Sequence, residues 1–121
     1  MAGTLTISTL SDGTNSTSST NCIQGSAKAW VTFAGAATIS ASYNVSSVTN
    51  ISTGVYSVSF TNALTDANYA VNVSGRGTPA VNAIQPSIDH DRTNTASICY
   101  VIFLNSGSYK NPSFGYVACF R

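Results

Sequence analysis

An antiparallel β-sandwich of about seven strands behind an extended N-terminal arm is predicted for this 121-residue chain from three features. Charged residues make up only 7%, against about 25% in an ordinary soluble domain, and Glu is absent. Long solvated helices need such residues on their outer face, so an all-β fold is expected. Ser, Thr and Asn fill more than a third of the sequence, and these side chains suit half-exposed pleats and corners. The apolar residues, a normal 43% that includes six Tyr, five Phe and one Trp, recur at period two between turn signals about ten residues apart. That pattern belongs to a sheet with one buried face, and the aromatic content separates the chain from disordered ones.

Residues 1–26 form the arm: Leu5, Ile7 and Leu10 alternate briefly, and the run from Ser11 to Thr20 is nearly free of apolar side chains. An arm of this kind buries too little surface to offset its ordering entropy, so it is expected to attach to a partner or to its own flank, with Leu5, Ile7 and Leu10 as contact residues. The domain proper is 27–121. Ala29, Val31 and Phe33 alternate with Trp30 and Thr32 in a first strand, and Ile39 to Val45 reads as a second. A corner is expected at Asn50 to Gly54. Tyr56, Val58 and Phe60 then alternate with serines, which directs the aromatic face inward. Asn62 to Asn68 reads as a turn, Tyr69, Val71 and Val73 as a strand, and Gly75 to Pro79 as its end. The weak signal from Val81 to Thr95 reads as a surface loop carrying one short strand. Ile98 to Leu104 is almost continuously apolar, as a central strand covered on both faces should be; Asn105 to Ser113 connects it to a last strand, Tyr116 to Phe120.

A net charge of +1 from scattered cations leaves no basic stripe, which excludes nucleic acid and acidic membrane surfaces as expected partners. There is neither a secretory signal nor a membrane span in the pattern, so synthesis in a cytoplasm without membrane insertion is expected. Cys22, Cys99 and Cys119 lack metal-binding spacing and read as buried thiols; zinc with His90 is disfavoured, and Cys99 could meet Cys119 if their strands pair. The N-x-[ST] sequons at Asn15, Asn44, Asn50 and Asn72 are what so much Asn, Ser and Thr produces by chance. No metal and no cofactor is expected.

Gly25 to Phe33 (GSAKAWVTF), Ile39 to Thr49 (ISASYNVSSVT), Gly54 to Phe60 (GVYSVSF) and Leu64 to Val71 (LTDANYAV) together resemble a module of tail-fibre and related appendage proteins of tailed bacteriophages. The resemblance spans residues 25–73, about two fifths of the chain, and Ile7 to Asn15 is similar to the leader placed before such modules. It implies a virion structural protein on the tail or capsid surface, homotrimeric, joined to other virion proteins through its arm, whose distal domain meets a host surface glycan or protein. The leader is short for a fibre shaft, which makes a capsid decoration, cement or head-fibre protein the alternative.

Two clusters carry candidate binding chemistry. Asp89-His90-Asp91-Arg92 brings two carboxylates beside an imidazole, an arrangement suited to ligand contact and otherwise to a solvated loop with a local Asp–Arg pair. The segment 106–114 offers Tyr109 and Phe114 beside Lys110 and Asn111, the inventory of a sugar-binding surface, and Arg76 between two glycines reads as a turn or a tip contact. Trp30 is expected in the core or as an inter-subunit anchor. Nucleophilic or paired-carboxylate catalysis has no support: G-x-S-x-G is missing, Asp12 and Asp66 sit in turns, and only the adjacent Asp89 and Asp91 remain. A free carbohydrate-binding module of a secreted enzyme is disfavoured by the N-terminus.

Overall fold

The computed structural model describes residues 2–79 and 83–121, and within them the chain is all-β with a single short helix. Positions 80–82, including the Val81 at which the weak-signal stretch begins, lie outside the described residues. The arm contains β1 (Thr9–Ser11), β2 (Ser16–Ser18) and α1 (Ser19–Gly25). Asp12 closes the β1–β2 hairpin by accepting the backbone N–H groups of Thr14 and Asn15 at 2.9 and 2.7 Å, and these bonds hold its carboxyl below its ordinary pKa. Ser18 caps α1 by accepting the Asn21 N–H, the role its hydroxyl suits.

Nine further strands form the sandwich: β3 (Ala27–Ala34), β4 (Ile39–Tyr43), β5 (Val45–Ser52), β6 (Val55–Phe60), β7 (Ala70–Arg76), β8 (Gln85–Ile88), β9 (Ile98–Asn105), β10 (Ser108–Tyr109) and β11 (Phe114–Phe120). One sheet runs β4-β3-β11-β7; the other runs β10-β9-β6-β5, with β8 also paired to β9, and every pairing is antiparallel. Alternation decides which side chains go inside. Ala29, Val31 and Phe33 of β3 and Val117 and Cys119 of β11 meet Tyr56, Val58 and Phe60 of β6 and Cys99, Val101 and Phe103 of β9. Phe33, Tyr56 and Phe103 pack as a triad of tilted and edge-to-face rings with centroids 5.1 to 6.2 Å apart. Phe60 and Tyr69 make a second edge-to-face pair at 5.7 Å.

Three sequence expectations are corrected. Val45 does not continue the preceding strand. Asn44 takes a left-handed backbone (φ 55) and passes the chain from the first sheet to the second, and Val45–Ser52 is a strand of its own whose corner is Thr53-Gly54. The Asn44 side chain secures the crossing by donating to the carbonyls of Lys28 and Asn62 and accepting the Asn62 N–H. Second, β7 runs through Gly75 and Arg76 rather than breaking there. Gly75 lies over the Phe103 ring, where a Cβ would stand 2.8 Å from a ring carbon, so its lack of a side chain serves packing inside a strand. Third, β9 and β11 do not pair: Cys99 and Cys119 face each other from opposite sheets as free, buried thiols, and Cys22 is half-buried in α1. The neighbouring Cys119 thiol and burial push the Cys99 thiol well above its ordinary pKa.

Candidate functional site

Strand direction assigns each candidate residue to an end of the sandwich. The arm enters β3 at Ala27, and the connections after β4, β6 and β8 lie at that same near end, with the C-terminus after β11. The connections after β3, β5, β7 and β9 lie at the far end, about 25 Å away along an eight-residue strand. Arg76, Tyr109, Lys110, Asn111 and Phe114, scattered in sequence, are thereby brought to the far end. Asp89, His90, Asp91 and Arg92 follow β8 toward the near end, so the two predicted clusters are separate places.

The far end is laced by backbone bonds. Lys110 N–H donates to the Phe103 carbonyl, Phe103 N–H to Gly54, Ser113 N–H to Arg76 and Gly35 N–H to Ser113. The Tyr56 hydroxyl, its pKa pushed up to about 12 by burial, donates to the Gly35 carbonyl at 2.7 Å. Asn111, a ligand candidate from the sequence, commits its side-chain oxygen to Gly54 N–H at 2.6 Å and so shapes the rim. Pro112 is buried against Gly35, where an added Cβ would collide with the Pro112 carbonyl oxygen. Tyr109, 41% exposed, and the exposed side chains of Arg76 and Lys110 project from this frame, while Phe114 is half-buried beside Arg76.

At the other cluster the loop is built around Asp89, which is buried rather than solvated. Its Oδ1 accepts the Asp91 N–H at 2.9 Å and its Oδ2 accepts from the Arg92 guanidinium at 2.8 Å. Burial raises the carboxyl's pKa, but the Asp91 N–H and Arg92 together outweigh it, and the net displacement is downward. His90 and Asp91 remain exposed. Ligand atoms of Asp89, His90 and Asp91 lie within 4.8 Å of one another, yet both Asp89 oxygens already serve the turn. Because the folded pKa is depressed, the stabilisation from Asp89 is present above its unfolded value of about 3.9 and is lost as pH falls through the folded one. Asp89→Asn should therefore melt below the wild type at neutral pH, with the gap closing as pH falls below about 3.9 in thermal scans.

Trp30 does not lie in the core. It stands 40% exposed on the outer face of the β4-β3-β11-β7 sheet, directly opposite Tyr43. Register lays out two uncharged rows there, Tyr43-Trp30-Ala118-Asn72 and Ala41-Thr32-Tyr116-Ser74, with Tyr43 and Tyr116 also exposed. This aromatic face was missed in the sequence because Tyr43 and Tyr116 read as ordinary strand residues, and only pairing places them beside Trp30. In the arm, Leu5, Ile7 and Leu10 are exposed and line one apolar hollow with Cys22 and with Ile23, which the sequence did not single out. No helix among the described residues is long and apolar enough to cross a membrane. Comparisons with protein-family models, curated proteins and solved structures return no match.

Proposed function

We propose that this chain is a structural protein of a tailed-bacteriophage virion: a non-catalytic, tail-fibre-like appendage whose arm joins it to the particle and whose sandwich offers its far end to a host surface glycan or protein. The observation that carries the reading is the two-ended topology, with the arm entering at one end and Arg76, Tyr109, Lys110 and Phe114 collected at the other. A rim on rigid strands, with loops held by backbone bonds, is the usual platform for recognition. The resemblance at residues 25–73 supports the same reading. Copies of the chain would meet as a trimer through the Trp30-Tyr43-Tyr116 face and the apolar hollow of the arm, since uncharged apolar surface of this kind is a mark of protein contact.

Particles made without the chain should assemble normally and adsorb poorly to host cells, and normal adsorption would refute the receptor role. A second reading, a capsid decoration or cement protein, is favoured by the breadth and neutrality of the same sheet face, which suits repeated contacts on a lattice. It expects many copies on the head, visible by electron microscopy, and heads that lose stability when the protein is missing.

A further inference from the structure

The formal charges are segregated along the sandwich. All four carboxylates belong to the arm or the near end: Asp12 closes the arm hairpin, Asp66 follows β6, and Asp89 and Asp91 follow β8. Two near-end cations are bound to them, Arg121 to Asp66 at 2.6 Å and Arg92 to Asp89 at 2.8 Å. A third, Lys28, donates to the Ile23 carbonyl and the Ser26 hydroxyl. That leaves Arg76 and Lys110. Neither makes an ion pair or a side-chain hydrogen bond among the described residues, and both are exposed at the far end.

They come from different sheets. Arg76 ends β7 in the four-stranded sheet, and Lys110 follows β10, which pairs with β9 in the other. Residues 110–113 cross the end between the sheets, and the bonds from Lys110 to Phe103 and from Ser113 to Arg76 fix the backbone at both cations. Two cations carried on different sheets suit a polymer with charges at intervals along its length, which can engage both at once.

Neutral hydrogen-bonding groups and one exposed aromatic lie in the same region: Thr53, Ser106, Ser108 and Tyr109 are all exposed. Aromatic faces and hydroxyls fit sugar rings, and the unpaired cations fit carboxylate or phosphate groups on them. Building on the receptor reading above, we infer that the far end of the sandwich binds an anionic surface polysaccharide, with Arg76 and Lys110 as the two charge contacts and Tyr109 as the sugar-stacking residue.

The test uses the purified full chain against four probes: polygalacturonate for carboxylate, a glycerol-phosphate polymer for phosphodiester, dextran as the neutral glycan, and a single-stranded oligonucleotide as a polyanion without sugar hydroxyls of that kind. Binding to at least one acidic glycan and not to dextran is expected, and the pair of acidic probes tells carboxylate from phosphate. The affinity should fall as ionic strength rises, and roughly tenfold in the double variant R76Q/K110Q, the combined effect of two exposed charge contacts. R121Q, which changes charge at the near end, should leave it unaltered. Equal binding to dextran, tighter binding to the oligonucleotide, no binding to either acidic glycan, or no change in R76Q/K110Q would overturn the inference. On particles the two ideas separate: purified wild-type virions found to contain no copy of the chain refute the appendage reading, whereas virions that carry R76Q/K110Q and adsorb normally refute only the charged tip.

Discussion

Phe103→Ala should lower the stability of the sandwich by about 3–5 kcal/mol, out of the roughly 5–15 kcal/mol available to a domain of this kind. Phe103 is fully buried, sits edge-on to both Phe33 and Tyr56, and has Gly75 against its ring from the opposite sheet. Truncation therefore removes one of the two rings, with Tyr56, that pack on Phe33 across the sheets, and the hole left behind is walled by backbone and by other rings that have little freedom to collapse. A drop in melting temperature on the order of 10–20 °C is expected by circular dichroism. Phe103→Leu, which keeps most of the volume, should recover more than half of the loss. If Ala and Leu at this position melt together near the wild-type temperature, the triad is not the organising contact of the core.

Gly54→Ala is the second large effect, and it reaches the recognition end directly. Gly54 has φ +73, and a Cβ there would lie 2.5 Å from the Phe103 carbonyl oxygen and 2.6 Å from the Lys110 nitrogen. Those two atoms are hydrogen-bonded to each other at 3.0 Å, so the new methyl group would have to part a backbone bond that holds the rim. The left-handed conformation costs about 1–2 kcal/mol for any residue with a Cβ, and overpacking adds about 1–3 kcal/mol. Gly107 supplies the control: its φ is +82 but nothing lies within 4 Å of the added Cβ. Gly107→Ala should thus show the backbone cost alone, and urea denaturation of the two variants reads the difference. Equal destabilisation would mean that the rim yields easily around Gly54 and that the far end is less rigid than its hydrogen bonds indicate.

Much of the architecture was legible because period-two alternation is a local property. Tyr56, Val58 and Phe60 could be assigned inward from neighbours two residues away, and the continuous run around Val101 to Phe103 signalled a strand covered on both faces. Val45–Ser52 was not legible as one strand, because Ser46, Ser47, Thr49 and Asn50 give an edge strand the same polar composition as a turn. For Trp30 the core placement was excluded, while the anchor role between subunits stays a proposal. A large aromatic is usually buried, and only the alternation fixed by Ala29 and Val31, both fully inside, forces it to the outer face.

Composition and periodicity by themselves determined the all-β class, the inward residues of the strongest strands, and the turn aspartates Asp12 and Asp66. Sheet membership was left to the tertiary structure: it set Cys99 against Cys119 from opposite sheets, joined Tyr43 and Tyr116 to Trp30 on one face, and parted Arg76 and Lys110 from every carboxylate. The physical reason is that a strand's side-chain alternation is set within a few residues, whereas its partner, its direction and the end at which its loops emerge depend on contacts between residues far apart in the chain.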